Sequence, residues 1–261
     1  KLPDEDLSRY LVALREMRKS ADRLAVTHYL WLLTLTGCRR DELSTATIGD
    51  FYLTERQRVI VATKAKDRKT HYTGLSHLAV RVVQEQIRLL QSKNLPTSKD
   101  SLLFPAASAL KKIQRWHGDG LKPMSSHVIY KHHAQVIAKA GIASFTIHDF
   151  RRIFATMAAQ LGVGPDYQRL LISHTTGRRE AHAVYNLHNY MHELKEAASR
   201  LAVVFDFLSS EVGVNGMRSP LECRLDFIDS FEYWMSEPGR RFYNASPMNF
   251  YVVGLVEDAI A

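Results

Sequence analysis

The chain has 261 residues, 46% of them hydrophobic and 24% charged, with a net charge of +8. That length supports one large core, or one domain with an appendage, and the composition excludes a disordered or fibrous chain. The positive balance points to a polyanionic partner. No apolar run reaches the roughly 20 residues of a membrane span, no secretory leader is read, and two cysteines, Cys38 and Cys223, make neither a metal spacing nor a disulfide framework.

The charge is unevenly placed. Residues 210–261 hold eight acidic against four basic side chains, a charge of −4, which leaves +12 on residues 1–209. The body is therefore the candidate DNA binder, and the acidic, aromatic tail is a separate extension.

In chain order, Leu7, Tyr10, Leu11 and Leu14 predict a helix from Asp4 to about Arg18. Ala21 to Thr36 predicts a strongly apolar helix that Gly37 stops. A short helix carrying Glu42 and Leu43 follows. Phe51–Leu53, Val59–Thr63 and about Thr70–Leu75 predict three short strands, with the charged stretch Lys64 to Lys69 as the turn between the last two. Ser76 caps a predicted helix to about Ser92. Residues 94–123 read as loop, punctuated by Pro96, Pro105, Gly118, Gly120 and Pro123. Ser125 or Ser126 caps a helix to about Ala140, and Thr146 caps one that holds His148 and Arg151 and runs to Leu161. A short helix to Ile172 and a longer one from about His188 to Leu208 complete the body. The fold class is thus mainly α with a small three-stranded antiparallel β-sheet.

The residues that carry chemistry are spread over this frame. Arg39 follows the glycine stop, one turn before Glu42. It is either a surface arginine paired with Glu42 or a phosphate clamp that Glu42 orients. Lys64, at a hairpin tip, is either a solvated turn residue or a charged lysine able to protonate a leaving alkoxide. His148 and Arg151 are three apart and share a helix face, where a phosphate would meet an imidazole and a guanidinium fork. His174 is either a structural histidine at a helix end or a donor to a phosphate oxygen. Tyr185 is either a core tyrosine or a nucleophile that would form a covalent phosphotyrosine. Together these groups can hold, attack and protonate a phosphodiester with no metal and no cofactor.

In this order, Thr36-Gly37-Cys38-Arg39-Arg40-Asp41-Glu42-Leu43, the Lys64 hairpin, His148-Asp149-Phe150-Arg151, Ser173-His174 and Tyr185 resemble the catalytic domain of the tyrosine recombinases, the phage integrase family. The resemblance runs from about Lys1 to Leu208. It implies that Arg39, Arg151 and His174 hold the scissile phosphate, that Lys64 is the general acid for the 5′ oxygen, and that His148 helps deprotonate the tyrosine. Tyr185 would take the 3′ phosphate, with Glu42 supporting the site. Arg40, Lys66, Lys69, His182 and Tyr190 are the competing assignments.

The resemblance further implies double-stranded DNA as partner, a homo-oligomer that acts as a tetramer on two sites, and a cytoplasmic location in a prokaryotic, archaeal or viral or mobile-element host. A type IB topoisomerase or telomere resolvase with the same chemistry, or a catalytically silent DNA-binding regulator, are the alternatives. Residues 1–209 are read as the catalytic domain and 210–261 as a subdomain or an intersubunit or autoinhibitory tail. The start at Lys1 without Met suggests a trimmed or processed product lacking the family's N-terminal clamp domain.

Overall fold

The computed structural model describes residues 2–17, 23–60, 70–106, 108–109, 121–173 and 190–209. Its helices are α1 (Asp4–Met17), α2 (Leu24–Thr36), α3 (Arg40–Ser44), α4 (His77–Ser92), α5 (Ser126–Ala140), α6 (Asp149–Gln160), α7 (Pro165–Leu171) and α8 (Met191–Leu208). Strands β1 (Phe51–Tyr52), β2 (Gln57–Ile60) and β3 (His71–Gly74) pair antiparallel in the order β1-β2-β3. The mainly helical class with one small sheet is as the sequence predicts. Val61–Thr63, the Lys64–Lys69 turn and the tail from Ser210 onward lie outside the described residues.

The architecture is organised around α2. Every residue from Ala25 to Thr36 is buried, as expected of a helix that is apolar all round. It packs against α4, α6, α5, α8 and α1. Most of its polar groups are matched rather than solvated, while Trp31 Nε1 and His28 Nε2 are buried without a hydrogen-bond partner among the described residues. The Thr34 hydroxyl donates to the Leu30 carbonyl at 3.0 Å, and His28 Nδ1 donates to Gln86 Oε1 at 3.0 Å. Gly37 ends the helix in the left-handed region (φ 57°), its N–H bonded to the Leu33 carbonyl at 2.9 Å. That stop turns the chain toward Arg39 and α3, and the Tyr29 hydroxyl ties α3 back to α2 by donating to the Arg40 carbonyl at 2.6 Å.

A second anchor joins α1, α5 and the entry to α6. His133 bridges the Tyr10 hydroxyl (2.8 Å from Nδ1) and the Phe145 carbonyl (2.9 Å from Nε2). A carbonyl only accepts, so Nε2 carries the proton and Nδ1 accepts from Tyr10. Phe145 and Phe150 pack edge-on around both rings.

Helix α6 starts differently from expectation. Thr146 accepts the Asp149 backbone N–H at its carbonyl, at 2.9 Å, but its hydroxyl accepts no backbone bond among the described residues. Its N–H and hydroxyl both donate to the Asp149 carboxylate, at 2.8 and 2.7 Å. The charged carboxylate is the stronger acceptor, and His148 is the residue before the helix rather than one inside it.

The sheet has two unlike faces. The register pairs Phe51 with Arg58 and Arg58 with Thr73, which lie on the buried side, while Tyr52 and Tyr72 point outward and are about half exposed. Strand β2 leaves the ladder at Ile60, directly opposite His71, where β3 begins. The connection containing Lys64 therefore starts and ends at one edge of the sheet.

Candidate active site

Arg39 sits just before α3 with an extended backbone (φ −72°, ψ 143°). One carboxylate holds it at both ends. Glu42 Oε2 accepts the Arg39 backbone N–H at 3.1 Å, and Oε1 accepts Nη1 at 2.7 Å. Glu42 is 3% exposed and the Arg39 side chain 25%. This is not a loose surface pair: a buried carboxylate fixes the stem while part of the guanidinium stays open to solvent. Nη1 also reaches the Ser173 carbonyl at 3.4 Å. Ser173 is buried and adopts a left-handed backbone (φ 50°).

Arg151 comes to the same place from α6. It is 7% exposed, and Nη1 donates to the Gly37 carbonyl at 3.1 Å. Its Nη2 is buried with no hydrogen-bond partner among the described residues. Burial pushes its pKa down, nearby Arg39 adds to that, and Glu42 and Cys38 oppose it. A guanidinium keeps its charge in such a setting. A buried cation with an unused donor, beside a second arginine and, among the described residues, one carboxylate, is complementary to an anion.

His148 and Arg151 diverge in environment. His148 is exposed, at the mouth of α6, while Arg151 is buried three residues on. Shared helix spacing therefore puts one group at the surface and the other at the base of the site. Arg40 goes elsewhere. Its Nε donates to Asp41 at 2.8 Å and its Nη1 to the Tyr130 hydroxyl at 3.0 Å, on the α5 side. Tyr190, the competing nucleophile, lies immediately before α8 with φ 51°, its ring edge-on to Tyr167 at 5.6 Å. Lys64, His174 and Tyr185, with Lys66, Lys69 and His182, lie outside the described residues. Arg39, Glu42 and Arg151 are the expected site residues that the structure brings together.

Two participants escape the sequence reading. Arg58 is 1% exposed, and its Nη2 donates to the Glu42 carbonyl at 2.8 Å. The predicted strand begins at Val59, one residue after Arg58, whereas β2 runs Gln57–Ile60 and sets Arg58 opposite Phe51, so no sequence pattern marks it. Ser173 is visible in the sequence only as the neighbour of His174, because its contribution is a backbone carbonyl in an unusual conformation.

Among the described residues, no helix is long and apolar enough to cross a membrane, and no group of three or more His, Cys, Asp or Glu side chains could hold a metal ion. The sequence profile described as the phage integrase family matches residues 2–192. No curated protein and no solved structure matches the chain.

Proposed function

The chain belongs to the phage integrase family, and we propose that it is a site-specific recombinase that cleaves and rejoins duplex DNA through a covalent 3′-phosphotyrosine. The observation that carries this reading is the Arg39–Glu42–Arg151 cluster, in which a buried guanidinium keeps an unused Nη2 beside a second, partly open one. Such preorganised cations act where charge develops on a phosphorane, commonly the largest catalytic contribution.

In the proposed reaction the Tyr185 phenolic oxygen attacks phosphorus, and its proton passes toward His148. Arg39, Arg151 and His174 hold the non-bridging oxygens. The bond from phosphorus to the 5′ oxygen breaks, and Lys64 donates the proton that this oxygen takes up. The phosphotyrosine conserves the ester bond, so a 5′-hydroxyl from a second strand can reverse the step and rejoin DNA. The exposure of His148 at the mouth of α6 suits a group that meets the incoming tyrosine. Residues 1–209 act as the catalytic domain in this reading, on DNA as a tetramer over two sites, and residues 210–261 form a regulatory or intersubunit extension.

The test is covalent capture from a pool of nicked duplexes with a randomised core, so that a released fragment cannot religate. The expected result, in EDTA, is a protein–DNA adduct that survives denaturing gels with the wild type and is absent with Tyr185→Phe, which still binds DNA. An adduct with Tyr185→Phe moves the nucleophile to Tyr190. DNA binding with no adduct from any sequence favours the regulator. Relaxation of any supercoiled plasmid favours a topoisomerase, and hairpin ends favour a resolvase.

A further inference from the structure

We infer that the cross-strand pair Arg58–Thr73 is a positioning device for strand cleavage, gripping the two backbone segments that hold the Arg39 guanidinium. This rests on the recombinase reading above.

Arg58 is the starting point, because a guanidinium that is 1% exposed is costly to keep. A well-packed apolar side chain of similar size is often no worse for stability. Its cation lies 5.3 Å from the ring centre of Phe51, its partner in β1. Nη2 donates to the Glu42 carbonyl at 2.8 Å, while Nε and Nη1 are buried without hydrogen-bond partners among the described residues. The five residues of α3 leave their last carbonyls with no partner inside the helix. Arg58 supplies one, at the residue whose carboxylate clamps Arg39.

Thr73 is the neighbour of Arg58 in β3. It is 3% exposed, and its hydroxyl donates to the Leu171 carbonyl at 3.2 Å. Leu171 ends α7, two residues before Ser173, whose carbonyl is the second acceptor for Arg39. One row of the sheet thus holds both sides of Arg39: Arg58 through Glu42, and Thr73 through Leu171 and Ser173. The same two strands enter and leave the connection that contains Lys64. Displacing this row would shift Arg39 relative to the phosphate, and misplacement by about 1 Å can cost on the order of a hundredfold in rate.

The experiment measures single-turnover cleavage and DNA affinity for Arg58→Met, Arg58→Lys and Thr73→Val. Neither residue reaches the surface, so the Kd for DNA should stay within about twofold, while the cleavage rate constant falls about 10- to 100-fold in Arg58→Met and about 3- to 10-fold in Thr73→Val. Arg58→Lys should recover part of the loss, and Arg58→Met should add nothing further in a Glu42→Ala background. Wild-type cleavage by the variants, or a Kd that weakens in step with the rate, would overturn the inference. Should Arg58→Met not fold, Thr73→Val decides alone, since it only exchanges a hydroxyl for a methyl on a strand.

A wild-type protein that forms no adduct sinks the recombinase reading alone. The positioning is then read from 15N-arginine spectra, with the Arg39 Nε–H signal identified by its loss in Arg39→Lys. A shift of that signal in Thr73→Val supports the device, and an unmoved signal overturns it.

Discussion

Arg151 donates from Nη1 to the carbonyl of Gly37 at 3.1 Å, so the glycine that ends α2 and the arginine on α6 form one unit. The helix stop is thereby part of the site: the backbone turn that releases the chain toward Arg39 also fixes the guanidinium that approaches from the other side. Phe154, one turn after Arg151 on α6, is 1% exposed and packs against Gly37 where a side chain would otherwise be.

Gly37→Ala should therefore damage stability and chemistry together. A Cβ at this position would stand 2.7 Å from the Phe154 ring atoms, on a backbone with φ +57°. Left-handed backbone at a residue with a Cβ costs about 1–2 kcal/mol and overpacking about 1–3, so a loss of roughly 2–5 kcal/mol is expected. Urea unfolding measures it. Cleavage should fall further than the folded fraction does, because the Gly37 carbonyl moves with its turn. A variant as stable as the parent would show that the α2–α6 contact can yield.

Glu42→Gln tests whether the clamp needs two acceptors. Both carboxylate oxygens accept from Arg39, one from its backbone N–H and one from Nη1. A carboxamide has only one acceptor oxygen, so either orientation sets an NH2 against a donor inside a site that is 3% exposed. The expected cost is about 1–3 kcal/mol, with slower adduct formation at saturating DNA. Full retention of both would mean that Arg39 is held by Ser173 rather than by Glu42.

The parts of this site that the sequence made legible are those written in side-chain type and local spacing. Gly37 as a stop, Arg39 one turn before Glu42, and the three-residue step to Arg151 are all local patterns, and each is where the sequence places it. The division of His148 and Arg151 between surface and interior was not legible, because it depends on the tertiary contact that draws Arg151 to the Gly37 carbonyl while His148 stands before the helix. Arg58 and the role of the Ser173 carbonyl were hidden for a related reason. One acts through a carbonyl on another element and the other through its own carbonyl, so both contributions depend on tertiary placement.

Acid should destabilise the fold through a buried histidine. His132 is 4% exposed, with its Nε2 3.1 Å from the Thr27 hydroxyl. Burial, then the charges of Arg23 and His133, pull its pKa from 6.5 down to about 4. Burial also lowers that of His133, against the Phe145 carbonyl and Asp149. Between these values the unfolded chain binds more protons than the folded one. Stability is therefore complete above about pH 7 and is lost as pH falls from 6.5 toward 4, by about 2–3 kcal/mol from His132. Urea midpoints at pH 7, 6 and 5 measure the slope, which His132→Gln should flatten. An unchanged slope in that variant would assign the acid sensitivity to another group.

Adjacent arginines should behave as opposites. Arg40 is engaged by Asp41, which is 77% exposed, and by Tyr130, which is 46% exposed, so its ion pair is screened and worth at most about 1 kcal/mol. Arg39 instead directs part of its guanidinium to solvent from a buried clamp shared with the neighbourhood of Arg151. Arg39→Ala should reduce the single-turnover cleavage rate by about 100- to 1,000-fold, the scale of removing one preorganised donor to a developing oxyanion. Arg40→Ala should leave that rate at saturating DNA within about threefold, and any contact it makes with a phosphate would appear as a shallower salt dependence of binding. Rate constants at saturating DNA separate the two effects from affinity. A collapse of cleavage in Arg40→Ala with Arg39→Ala active would transfer the clamp to Arg40, and with it the meaning of the Glu42 contact.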